Sequence, residues 1–284
     1  MTAAAQIGDP MTRTRAASNP VRTLAALLRE PAPGPARIVE IAAPPGRPGA
    51  HRTAPISGAL QLGLDDFAGA EGPTTGRQPL PEHATLVATL TTAGISPSTA
   101  VIIIPRDASA LSTAARGWVT LRWAGVAEVS VLHPDEAAEV AARSEELAAW
   151  AAASGTDLAP AAFARNDAVV ATADEVATRD AEAILIDARS PDAFGGEGSH
   201  IAGAVNVSTA ALLGAGGLTN ADALRQTYRE AFDIDPLAQP LIVSCGSGIS
   251  ASVQALALAQ AGVEAPVYIG SWSEWSKISA PHPL

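Results

Sequence analysis

Leu241-Ile242-Val243-Ser244-Cys245-Gly246-Ser247-Gly248-Ile249-Ser250-Ala251 runs from an apolar segment through two glycines into an Ala-rich periodic one. Pro240–Ser244 reads as a strand, the glycines as a tight turn, and Ser250–Ala261, closed by Gly262, as a helix. The same order stands roughly 140 residues earlier. Val101–Leu132 (strand, loop, helix ending Trp123-Ala124-Gly125-Val126, strand) echoes Leu241–Ile269, whose helix ends Gln260-Ala261-Gly262-Val263. Ile56-Ser57-Gly58-Ala59-Leu60 echoes Ile201-Ala202-Gly203-Ala204-Val205. A repeat of that length is a duplicated domain and not a solenoid unit. Alternating strands and helices then predict an α/β protein of two tandem domains, each a parallel sheet flanked by helices. Ligands are expected beyond the carboxyl ends of the strands.

Around this block the patterning predicts, in the first half, a helix over Val21–Leu28 and strands over Arg37–Ile41 and Ala59–Leu62. A helix over Pro81–Ala93 and a strand over Ala100–Ile104, β-branched and buried on both faces, come next. Ser109–Trp123 (helix), Glu128–Leu132 (strand) and Asp135–Ala152 (helix) complete that half. In the second half a helix is expected over Ala173–Arg179 and strands over Ala183–Asp187 and Ala204–Val207. A helix over Asn220–Ala231 and a strand over Pro266–Ile269 complete the set. Residues 1–20 read as a loose leader, 21–152 as the first domain, 153–167 as a linker and 168–284 as the second domain.

The chain has 284 residues, 48% of them hydrophobic and 17% charged, and a mean hydropathy of +0.18, enough apolar content to bury two cores. Eighteen Lys+Arg stand against 29 Asp+Glu, a net charge of −11, which disfavours nucleic acid as a partner. One cysteine cannot form an internal disulfide and points to a reducing compartment. The apolar run Val101–Ile104 stops at Pro105, far short of the ~20 residues a membrane helix needs. Arg13 and Arg15 have no apolar stretch behind them, so no secretory signal is expected and the cytoplasm is the predicted location. The five histidines include no pair at metal-ligand spacing, and no metal or other cofactor is expected.

Cys245 is the chemically loaded position. A strand delivers it to its carboxyl end, Gly246 and Gly248 allow a turn with amides pointing inward, and a helix amino end faces the sulfur. Both features stabilise a thiolate. The same amides, with the hydroxyls of Ser247 and Ser250, would cradle an anion or an additional sulfur. The plainer alternative is an inert core cysteine, the commonest fate of a lone thiol, but such a residue has no need of two adjacent glycines.

Cys245-Gly246-Ser247-Gly248-Ile249-Ser250-Ala251 resembles the active-site loop of the rhodanese superfamily in its mercaptopyruvate-sulfurtransferase-like form. Gly270-Ser271-Trp272-Ser273-Glu274-Trp275 is similar to a second signature of that family. Ile186-Asp187-Ala188-Arg189 with His200-Ile201-Ala202-Gly203-Ala204-Val205-Asn206 is similar to a third. Ala115-Arg116-Gly117-Trp118 and Leu121-Arg122-Trp123 resemble its non-catalytic domain. The resemblance implies two tandem rhodanese-like domains and a ping-pong transfer. Cys245 takes the outer sulfur of a small anionic donor, thiosulfate or 3-mercaptopyruvate, as a persulfide. It then passes that sulfur to a thiophilic acceptor such as cyanide, thioredoxin or another thiol. It also implies substrate binding by Gly246, Ser247, Gly248, Ile249, Ser250, Arg189 and Trp272.

The family pattern is broken in places. An arginine that holds the donor is replaced by Ala193, and the loop carrying a second one is shortened to Gly195-Gly196-Glu197-Gly198-Ser199. The place of a first-domain histidine that reaches the loop serine falls at Pro55, with His51 nearby in another register, and that of the cysteine near Pro105-Arg106. Arg106, Arg116, Arg165 and Arg189 are the remaining anion-binding candidates, Arg189 equally suited to a salt bridge at a strand end. Trp272 and Trp275 suit a pocket wall or a core, Glu274 a scaffold, His200 a turn, and Asp187 the orientation of neighbours. A phosphatase or arsenate reductase would need an arginine behind the cysteine to fork an oxyanion, and Ala251 stands there. A binding or regulatory module that keeps the loop without efficient turnover is the second alternative.

Overall fold

The computed structural model describes residues 19–32, 34–43, 56–155, 162–195, 199–214 and 217–279. Two five-stranded parallel sheets, flanked by helices, carry the architecture. The first consists of β1 (Val21–Arg22), β2 (Ala36–Ala42), β3 (Leu60–Gly63), β4 (Ala100–Ile103) and β5 (Glu128–Leu132), in the order β1-β5-β4-β2-β3. The second uses β6 (Val170–Ala171), β7 (Ile184–Asp187) and β8 (Ala204–Asn206). After a small antiparallel hairpin, β9 (Leu213–Gly214) with β10 (Gly217–Leu218), it is completed by β11 (Leu241–Ser244) and β12 (Val267–Tyr268). Its order, β6-β12-β11-β7-β8, repeats that of the first. In both, the strand at the centre is a continuous apolar run with neighbours on each side, as burial on both faces requires.

One helix from each unit forms the main contact between them. Leu111–Ala124 packs against Ile249–Gln260, and both are buried nearly all round. That is why neither shows a polar face, the usual mark of a helix with one side in water. Alanines 251, 255, 257 and 259 on the second helix are all buried, and their small side chains let the backbones approach. Trp118 and Trp123 of the first helix lie in the same core.

Element bounds depart from the sequence expectations where long-range pairing intervenes. Val21–Arg22 is not the start of a helix, because it pairs with Val131 and Leu132 of β5, leaving Leu24–Arg29 helical behind the cap Thr23. Asp135–Ala152 is not one helix. It divides into Ala137–Ala142 and Ser144–Ala153 at Arg143, whose guanidinium clasps Glu139 at 2.8 Å and Glu146 at 2.9 Å. The helix Ser271–Ile278 lies on the family-like Trp segment, where no element was expected. Pro55 and His51 fall outside the described residues, as do 196–198 of the shortened loop.

Candidate active site

β11 stands between β12 and β7, with Val243 opposite Val267 and Ser244 opposite Asp187, so the next residue, Cys245, leaves the sheet at its centre. The thiol is 3% exposed. The Gly248 amide donates to Sγ at 3.1 Å, at the amino end of the helix Ile249–Gln260. Gly248 has φ +79, and a Cβ there would lie 2.7 Å from the Ile269 carbonyl oxygen and 2.9 Å from Arg116 Nη1. Glycine is demanded twice over, by conformation and by space. The amides of Gly246, Ser247, Ile249 and Ser250 have no acceptor among the described residues, leaving four donors around the sulfur loop.

The loop's carbonyls point the other way. Trp272 N–H donates to the Cys245 oxygen and Ser273 N–H to the Gly246 oxygen, each at 3.0 Å. The first-turn amides of one helix, which have no partner inside it, thereby fix the loop that precedes another. Ser271 sits at the junction. It is fully buried, and its φ of +51 is rare for a residue with a Cβ. Its Oγ accepts from the Cys245 amide at 3.1 Å and donates its single proton to the Tyr268 oxygen at 2.7 Å. The approach of that Oγ to Sγ at 3.9 Å is therefore contact rather than donation. The hydroxyl that the hydrogen-bond network sets against the sulfur is that of Ser271, inside the Gly270–Trp275 motif, rather than that of Ser247 or Ser250 on the loop.

Three arginines surround the loop. Arg189 is held by Asp187, Nε at 3.0 Å and Nη2 at 2.7 Å, and by the Ser199 carbonyl at 2.9 Å, while its guanidinium lies 5.6 Å from the Trp272 ring centre. Arg116, from the first half, is wholly buried. Its Nη2 fans out over the carbonyls of Phe67, Gln78 and Pro79 at 2.9–3.2 Å, and its Nε and Nη1 have no partner among the described residues. Burial pushes its pKa down to about 10, against a smaller upward pull from Cys245. Arg77, also from the first half, is exposed; its Nη2 is 3.1 Å from where a Gly246 Cβ would stand. Cys245 thus sits at a helix amino end with a backbone amide on its sulfur and arginine side chains beside its loop.

The Rhodanese-like domain family matches residues 172–278. Over 219 residues the chain is 31% identical to SseB of Mycobacterium tuberculosis, whose name carries a provisional thiosulfate sulfurtransferase assignment; the match covers 71% of this chain and 72% of that one. Over 232 residues it is 31% identical to the 3-mercaptopyruvate sulfurtransferase of Escherichia coli, covering 78% of this chain and 79% of that one. The chain belongs to the tandem rhodanese-like sulfurtransferase family. The crystal structure of SseA from Escherichia coli, a 3-mercaptopyruvate sulfotransferase, superposes with a TM-score of 0.63 at 27% identity, covering 84% of this chain and 94% of that one.

Seen as a rhodanese-like pair, the sequence-derived candidates separate clearly. Register places the counterpart of Cys245 in the first half at Pro105: Ile103 pairs with Val131 and Val39 as Val243 pairs with Val267 and Ile186, and Val131 and Val267 lie next to the first strand of each half. Arg106 is not an anion site, being spent on the buried Glu40 at 2.5 and 2.6 Å. Arg165 is not one either; it pairs with Asp167 at 2.7 Å on the surface. Ala193 lies exposed on the Pro191–Phe194 turn. His200 stacks on Phe194 with ring centres 4.0 Å apart and bonds the Phe194 carbonyl through Nδ1 at 3.1 Å, a turn role. Trp272 is half-buried beside Arg189, and Trp275 packs edge-on to Tyr268 with centroids 6.3 Å apart. Glu274 lies in the first turn of the Trp-bearing helix, its amide bonded to the Gly270 carbonyl at 3.0 Å. No helix among the described residues is long and apolar enough to cross a membrane.

Proposed function

We propose that this chain moves sulfane sulfur from thiosulfate or 3-mercaptopyruvate to a thiophilic acceptor, cyanide or a thiol, through a persulfide on Cys245. The observation that carries this reading is the Gly248 amide on Sγ at 3.1 Å, at the mouth of the Ile249–Gln260 helix, where backbone donors face the sulfur. In the first half-reaction the thiolate bonds to the donor's outer sulfur. The S–S bond of thiosulfate breaks with its electron pair leaving on sulfite, or the C–S bond of mercaptopyruvate breaks and the departing carbanion of pyruvate takes a proton. In the second, cyanide bonds to the outer sulfur, thiocyanate leaves, and the Cys245 thiolate returns. The donors around Gly246, Ser247, Ile249 and Ser250 would hold the persulfide's terminal charge.

On this reading residues 168–284 form the catalytic domain, 21–152 the non-catalytic one and 153–167 their linker. The catalytic set is Cys245 with the amide-bearing loop Gly246–Ser250, while Arg189 and Trp272 wall it. Incubation with thiosulfate followed by cyanide should release thiocyanate. Donor treatment alone should add one sulfur to the protein mass, and Cys245→Ala should abolish both. Equal thiocyanate release by wild type and Cys245→Ala would leave a binding module as the better description.

A further inference from the structure

We propose that Arg77, delivered by the first half of the chain, binds the anionic group of the sulfur donor above the Cys245 loop. The inference rests on the sulfurtransferase reading and gives it a recognition residue. An anionic donor needs a cation with charge to spare, and the neighbours have little. Asp187 neutralises Arg189. Arg116 is sealed beneath Gly248, away from solvent. The Arg77 side chain is exposed and makes no hydrogen bond or ion pair among the described residues, and its Nη2 stands 3.1 Å from the Cβ position of Gly246, the residue next to the nucleophile.

Its backbone is fastened there. Lys277, on the helix that fixes the sulfur loop, bonds Glu71 at 2.7 Å and the carbonyls of Gly72 and Thr75 at 3.1 and 2.9 Å. Arg77 N–H donates to Ser273 Oγ at 3.0 Å. Gly76 presses on Gly270 so closely that a Cβ would lie 2.7 Å from the Gly270 oxygen. The segment 71–77 is thus tied to the same helix that holds the carbonyls of Cys245 and Gly246, and it brings a guanidinium nitrogen to 3.1 Å from the Gly246 Cβ position. With the backbone fixed, binding costs only side-chain ordering. The planar fork of a guanidinium matches two oxygens of a carboxylate or a sulfonate-type group, the feature thiosulfate and mercaptopyruvate share.

Arg77→Gln and Arg77→Lys test this, with thiosulfate and cyanide as substrates and sulfite as a non-transferring anion that shields Cys245 from iodoacetamide. In Arg77→Gln the KM for thiosulfate should rise about ten- to a hundredfold, the loss of one charge-assisted contact, with kcat changed less than about threefold. The sulfite concentration that half-protects Cys245 should rise by the same factor, and Arg77→Lys should recover part of both. Unchanged KM and unchanged protection in Arg77→Gln would overturn the assignment. So would a fall in kcat as large as the rise in KM, accompanied by altered alkylation without sulfite, which would mark a positioning effect on the loop. If the wild type releases no thiocyanate, the sulfurtransferase reading fails by itself, and sulfite protection still decides Arg77: weakened in Arg77→Gln it supports the site, undiminished it removes it.

Discussion

The central strands of the two sheets end in opposite ways. β4 runs into Ile104-Pro105-Arg106-Asp107, and Arg106 turns inward to meet Glu40, a carboxylate with no exposed surface that also accepts from Gln61 and from the Ile56 amide at 3.4 Å. β11 runs into Cys245-Gly246-Ser247-Gly248, where the equivalent space holds a thiol, an amide pointed at it and amides without acceptors among the described residues. The frame is the same and the strand order is the same. What differs is whether the end of the central strand is filled by a completed ion pair or left as a set of unmatched donors. The first closes a core, and on the proposed reading the second is where the donor binds. The closed half is not idle, since it sends Arg116 beneath the open loop and Arg77 above it.

Three measurements sharpen or break this contrast, beginning with the largest effect. Arg106→Met would strand the Glu40 carboxylate in the core, a loss of about 3–5 kcal/mol by the usual cost of breaking a buried pair. The urea midpoint should fall accordingly, while thiocyanate release by the protein that remains folded stays within about twofold. A comparable loss of turnover would mean the two strand ends are not independent.

Arg116 gives a pH signature. Its value is about 10 in the folded chain, below the ordinary arginine range, so between the two the unfolded chain holds more protons and stability rises with pH. Below pH 10 the buried charge imposes its full penalty, about 3 kcal/mol, and that penalty disappears towards pH 12.5. Raising the pH from 9 to 12 should therefore stabilise the wild type relative to Arg116→Met, with shared tyrosine ionisation cancelling in the comparison. Parallel urea midpoints across that range would show that the buried guanidinium carries no such cost.

The smallest effect separates the two glycines of the loop. Gly248→Ala meets a positive φ and two atoms inside 3.0 Å, whereas Gly246→Ala meets the movable end of Arg77 at 3.1 Å and Arg189 Cδ at an ordinary contact distance of 3.9 Å. Strain of about 1–3 kcal/mol at Gly248 should slow persulfide formation roughly ten- to a hundredfold, and Gly246→Ala about threefold or less. Reversal of that order would show that the loop's shape is held by something other than the Gly248 turn.

Much of this was legible before any coordinates. The central strands announce themselves as β-branched runs, the repeat shows in paired segments such as Ile56–Leu60 and Ile201–Val205, and the glycines around Cys245 mark the loop by composition alone. The missed features share a cause, which is contact across long separations. Val21 reads as helical until Val131 claims it for the sheet. Ser271 looks like one serine among many until its hydroxyl meets the Cys245 amide, 26 residues away in sequence. Arg77 lies in a Gly/Pro/Thr-rich stretch with no periodic signal, and only the Ser273 and Lys277 tethers reveal where it goes. Periodicity reports which face of an element is buried, not what it is buried against.

The alanine-lined contact between Leu111–Ala124 and Ile249–Gln260 also sets a limit on dissection of the polypeptide. A truncated fragment carrying Cys245 without its tandem mate would bare the flat methyl surface of Ala251, Ala255 and Ala259 to water and forfeit both of the borrowed guanidinium groups. Such a fragment should clump, and whatever stayed in solution would hold its sulfur without the electrostatic support that comes from the other half of the gene product.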